Sequence, residues 1–115
     1  MALVRFEIEN YQVTIGPDLP SIVTNLDSKV VGIIGCYGKG YQLILNFVEN
    51  GAVMPLSAYD EEKKTGSLYL PVSYMGTYID ILRNEKPVFA YCNSERPEWS
   101  NISTSYEPVG EGERR

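Results

Sequence analysis

The stretch Tyr91-Cys92-Asn93-Ser94-Glu95-Arg96-Pro97-Glu98-Trp99 is the densest group of side chains able to recognise another molecule. It holds the chain's single tryptophan, an arginine, two glutamates and an amide. A guanidinium fork suits a carboxylate, and an indole stacks on a ring or a cation. Tryptophan and arginine also dominate the binding energy of many protein interfaces. Tyr91, Asn93, Glu95, Arg96, Glu98 and Trp99 are therefore the candidate ligand- or partner-binding residues. A structural role for the same stretch is the competing expectation. In that case Trp99 closes over the end of the core, and Arg96 pairs with Glu95 or Glu98 in a turn stiffened by Pro97.

Catalytic chemistry has little to build on. The 115 residues include no histidine and only two cysteines. Ser-His-Asp and Cys-His nucleophile pairs, histidine metal sites and imidazole proton shuttles are thereby removed. Fifteen carboxylates offer acid–base pairs in principle, but no spacing selects one. Cys36 and Cys92 form no CxxC motif and read as reduced, buried, small apolar residues. A catalytic role is not expected, nor is a cofactor or a metal.

Two other patterns invite a chemical reading and fail it. In Gly32-Ile33-Ile34-Gly35-Cys36-Tyr37-Gly38-Lys39-Gly40 the spacing is wrong for a phosphate loop, and glycine follows the lysine where serine or threonine belongs. The segment reads instead as a hairpin, with its glycines at positive φ in the turn. Asp60-Glu61-Glu62 lacks the alternating oxygen ligands of a calcium loop, and Lys63 and Lys64 would repel the ion. It reads as a solvated hairpin tip.

The elements that must position these residues are mainly strands. Val4, Phe6 and Ile8 alternate with Leu3, Arg5, Glu7 and Glu9, the period of a half-buried strand with even positions inward. The apolar set changes parity at Tyr11-Gln12-Val13-Thr14-Ile15, which predicts a bulge near Asn10. Gly16-Pro17-Asp18 has turn chemistry, and residues 20–26 are either a short strand or a loop. Residues 29–36 and 41–48 form the two central arms of the hairpin, with Gln42, Asn46 and Glu49 marking exits to solvent. Asn50-Gly51 predicts a tight turn that folds residues 52–59 back on the preceding strand, Pro55 placing them at an edge or a bulge. Residues 67–72 return as a further strand.

One segment reads helical, near residues 73–85. Met75, Tyr78, Ile79 and Leu82 make one apolar stripe that must dock on the sheet. Ser73 is the expected cap, and Arg83 and Lys86 suit the C-terminal dipole. Pro87 ends the helix, residues 88–92 form a long strand, and a short one follows near 101–105. The fold class is α+β and mainly antiparallel: a rolled sheet, small open barrel or sandwich with one short helix. Residues 1–106 form a single β-rich domain, and 107–115 an acidic, glycine-bearing flexible tail.

Composition bounds the partners. Ten basic and fifteen acidic residues give a net charge of −5, without the basic stripe that phosphates require. Nucleic acid is thus not expected as a direct partner. No apolar run spans a bilayer and no signal peptide opens the chain, so a soluble, cytoplasmic, membrane-free protein is expected. Nine tyrosines suit protein contacts, with Tyr37, Tyr41, Tyr59, Tyr69, Tyr74 and Tyr106 near strand ends or loops. The leading expectation is a non-catalytic binding or assembly module that contacts a protein partner or itself as a homo-oligomer. A protein binding a small anionic ligand, or an acidic inhibitor of a basic partner, are the alternatives.

Overall fold

The computed structural model describes residues 3–19, 29–105 and 109. Among the described residues, eight strands, one α-helix and two short 3₁₀ turns follow one another. A three-stranded antiparallel sheet has the order β1-β7-β8, from Leu3–Glu7, Val88–Asn93 and Asn101–Thr104. A five-stranded sheet has the order β2-β3-β4-β6-β5, from Asn10–Leu19, Val30–Gly38, Tyr41–Val48, Thr65–Pro71 and Ala58–Asp60. Neither sheet closes into a barrel. The α+β class holds, and of the three architectures expected the sandwich is nearest. The segment at 20–26 and the tail from 107, apart from residue 109, lie outside the described residues, as does Tyr106.

One corner joins the two sheets. Ile8 N–H donates to Val88 O in the small sheet, and the next residue, Glu9, donates to Tyr37 O in the large one, both at 2.8 Å. The parity change near Asn10 therefore marks a strand passing from sheet to sheet rather than a bulge within one sheet. Gly38 makes the corner possible, because a Cβ there would collide with the Glu7 carbonyl oxygen. The hairpin turn that follows puts Lys39 (φ 54°) and Gly40 (φ 83°) in the left-handed region. Of the flanking glycines only Gly40 takes the expected positive φ; Gly38 stays in the strand for space, not for backbone freedom.

The core fills the space between the sheets. Phe6, Ala90 and Cys92 of the small sheet meet Ile34, Cys36, Leu43, Leu45, Phe47 and Leu68 of the large one. The helix α1 (Met75–Asn84) lays Met75 and Leu82 on that core, with Tyr78 edge-on to Phe47 at 5.6 Å. Its start differs from expectation: Val72–Tyr74 form a 3₁₀ turn, and Tyr74 caps α1 without a side-chain bond, so Ser73 is not the cap. Asn46 does not exit to solvent either. It is 1% exposed, and its Nδ2 donates to Leu68 O at 3.2 Å.

The hairpin expected at Asn50-Gly51 is not there. The turn forms, with Gly51 at φ 86° and Ala52 N–H donating to Glu49 O at 3.1 Å. The chain then leaves β4, and the strand hydrogen-bonded to β4 is the parallel β6, with Leu43 beside Gly66 and Leu45 beside Leu68. A parallel pair needs a long crossover, which residues 49–64 supply, and β5 pairs with β6 instead. The other misplaced turn is Gly16-Pro17-Asp18. These residues stay within β2, where the register shifts between Ile15 and Leu19. An edge strand accommodates the missing proline N–H at such an irregularity.

Candidate functional site

Strand β7 delivers the candidate stretch to the end of the small sheet, and Asn93 there turns the chain. Its side chain is 6% exposed and satisfied on both ends. The Asn93 Oδ1 accepts from the backbone N–H of Glu95 and of Arg96, each at 2.9 Å. The Nδ2 donates to the Tyr91 hydroxyl at 3.2 Å, and the Asn93 N–H donates to Ser100 Oγ at 3.4 Å. Such an Asx arrangement substitutes for backbone bonds in a tight turn and fixes its shape.

A 3₁₀ turn over Pro97–Trp99 completes the loop, with proline at its first position. Trp99 N–H donates to Arg96 O at 2.9 Å, Ser100 N–H to Pro97 O at 3.0 Å, and Asn101 Nδ2 to Trp99 O at 2.9 Å. With the backbone so occupied, the large side chains face outward. Trp99 is 58% exposed, and the Arg96 guanidinium lies 5.3 Å from its ring centroid. Arg96 also reaches Glu98 at 3.8 Å, both side chains being largely exposed. A pair in that setting contributes at most about 1 kcal/mol.

Of the six candidates, Arg96, Glu98 and Trp99 therefore form one exposed cluster, with Tyr91 and Asn93 beneath it as the frame. Glu95 contributes its backbone N–H to the frame, and its side chain is exposed. The competing expectation is half right: Arg96 does pair with Glu98, but Trp99 does not close the core. Among the tyrosines, Tyr74 is 55% exposed as expected, whereas Tyr69 is buried at 6%.

Burial, with a smaller contribution from Cys92, pushes the Cys36 thiol up to about 12, and burial alone pushes Cys92 up to about 11. Both are free and buried, and a thiol so raised is neutral and a poor nucleophile near pH 7. Burial likewise raises the Tyr59 and Tyr78 hydroxyls. At the charged loop, Asp60 Oδ1 accepts from Glu62 N–H at 3.0 Å and Lys63 N–H at 3.1 Å, shaping the β5–β6 turn.

Two surface features lie apart from the candidate stretch. A cleft of about 390 Å³ opens at the corner, where Glu7, Glu9, Asn10, Arg83, Glu85 and Lys86 line it with charges of both signs. The second is an apolar stripe on β2, with Tyr11 and Val13 each 36% exposed and Ile15 72% exposed. Its alternation with Gln12 and Thr14 is plain in the sequence, but alternation does not say which face a second layer covers. Comparison with protein-family models, with curated proteins and with solved structures found no match to the chain.

Proposed function

We propose that the chain is a non-catalytic binding or assembly module that works through protein–protein contacts. One observation carries this reading: Trp99, more than half exposed under the Arg96 guanidinium, is presented on a turn that buried Asn93 holds rigid. A pre-shaped turn loses little conformational entropy on binding, and tryptophan and arginine at its tip are the residue types that anchor interfaces. Self-association is the second part of the proposal, since the large sheet leaves a long edge strand with apolar side chains in solvent.

The test compares the native chain with the Arg96→Ala/Trp99→Ala double variant as baits in extracts of the cells that make the protein. A defined protein retained by the native chain and lost by a folded variant supports the proposal. Equal capture by both overturns it. So does a shift of the Trp99 emission on adding a small metabolite without any protein partner, which favours the ligand-binding alternative.

A further inference from the structure

Among the described residues, the inner face of the large sheet is covered across its centre and partly exposed at one edge. In the β2–β3 register, Tyr11 lies beside Cys36, Val13 beside Ile34 and Ile15 beside Gly32. Cross-strand partners share a face, so the β2 stripe belongs to the same face as the core. Cys36 and Ile34 are 0% exposed, whereas their β2 neighbours Tyr11 and Val13 stand at 36%. Strand β2 is also the end strand of its sheet, hydrogen-bonded on one side only among the described residues.

The usable stretch of this edge is bounded on both sides. Residues 10–16 carry no charge and no proline. Pro17 has no N–H to offer beyond one end, and the corner at Ile8 and Glu9 turns the chain away at the other. Natural sheet edges are commonly guarded by lysine, proline or an inward charge. Here Lys39, in the β3–β4 turn, is engaged with Glu9 at 3.3 Å, and the cations Arg83 and Lys86 reach only the corner end of the strand, where they share a cleft with Asn10 and Tyr11.

We infer that β2 pairs with β2 of a second copy, antiparallel about a two-fold axis at Val13. This joins two five-stranded sheets into one of ten strands, with the two apolar stripes continuous on one face. It rests on the self-association part of the proposed function and adds the surface and the register. A second copy is indicated because the stretch complements itself. Pairing about Val13 sets Val13 against Val13, Tyr11 against Ile15 and Gln12 against Thr14. Aromatic meets β-branched on the apolar face and amide meets hydroxyl on the polar one, both favourable pairings in sheets. The flanking charges fall on uncharged positions, Glu9 opposite Pro17 and Asp18 opposite Ile8. A two-fold interface demands this self-complementarity, and a register that set like charges opposite each other would oppose it.

Sedimentation equilibrium of the full chain tests the inference. The native chain is expected as a dimer at micromolar to millimolar concentration. Val13→Arg, which sets two charges against each other at the axis, is expected to weaken the dimer at least 100-fold. Because Val13 is partly exposed, the variant should keep native far-ultraviolet dichroism and native protection of both buried thiols. Val13→Cys supplies a second reading: under oxidised glutathione it should form a covalent dimer readily, and Ile15→Cys, which faces Tyr11 instead, should not. A native chain that stays monomeric overturns the inference and the self-association proposal together. A dimer that survives Val13→Arg, or cross-links equally through position 15, overturns the β2 register alone.

Discussion

One face of the large sheet meets two fates. Under β1, β7 and α1 its side chains Ile34, Cys36, Leu43, Leu45 and Phe47 are 0% exposed. One strand further, on β2, the same face carries Tyr11, Val13 and Ile15 in water to a third or more of their surface. The residues do not differ in kind, since both regions are β-branched, aliphatic and aromatic. What differs is the width of the covering layer, three strands and a helix against five strands. An apolar alternation therefore specifies a face, and the opposing layer decides whether that face becomes core or stays in solvent.

The comparison is broken most severely at the covered end. Phe47 is fully buried and touches the helix through Tyr78, so Phe47→Ala removes a whole ring from the core. A loss of about 4 kcal/mol is expected, a large part of the stability of a domain this size. Ile15→Ala on the same face, measured by urea denaturation at low protein concentration, should cost about 0.5 kcal/mol or less. Equal losses at both positions would mean that the face is covered throughout.

Alkaline titration sharpens the boundary at a single residue, because Cys36 is the covered neighbour of Tyr11. Its folded value, up to about 12, lies above the ordinary thiol value of 9.0, and Cys92 is displaced the same way. The native state therefore keeps protons that the unfolded chain releases. The stabilisation is complete below about pH 9 and is lost as pH rises towards 11 for Cys92 and 12 for Cys36. Each thiol lowers stability by up to about 1.4 kcal/mol per pH unit within that window. Urea midpoints between pH 8 and pH 11 should fall accordingly, and Cys36→Ala should flatten the decline. At pH 8 a thiol reagent should label no cysteine in the native protein and two in denaturant. Labelling of the native protein at the rate of free cysteine would show that the centre of the face is open.

Much of this architecture is legible in the residues themselves. The period of two marks the strands, Lys39-Gly40 the central hairpin, and Met75, Tyr78, Ile79 and Leu82 the docked face of the helix. The parity change at Asn10 locates the corner, though not its nature, because a bulge and a change of sheet leave the same trace in a pattern. The parallel β4–β6 pair is not legible. Asn50-Gly51 specifies a local reversal, and nothing local states which later strand pairs with β4. The candidate stretch is recognisable by residue type, but its division of labour is geometric. Asn93 and Arg96 look equally available in the sequence, yet one is 6% exposed and fixed by four hydrogen bonds while the other stands in solvent.

The smallest effect on stability belongs to the far side of the molecule, and its smallness is informative. Trp99 sits beside β5 and β6, across the large sheet from β2, and unlike the β2 stripe it is exposed by its own turn rather than by a missing layer. The backbone bonds of that turn do not depend on the indole, since they join Arg96, Pro97, Trp99 and Ser100 through main-chain atoms. Trp99→Ala should therefore change stability by no more than about 0.5 kcal/mol, as should Arg96→Ala, whose exposed link to Glu98 contributes little. Asn93→Ala is the contrasting variant, because it leaves the Glu95 and Arg96 N–H groups and the Tyr91 hydroxyl without their acceptor or donor. About 2 kcal/mol is expected there. Thermal unfolding of the three variants decides between two kinds of exposed aromatic. If Trp99→Ala costs as much as Asn93→Ala, the indole is a structural part of the turn and not a contact residue. If it costs almost nothing, the turn holds Trp99 out at no structural benefit to the fold, as the proposed contact role requires.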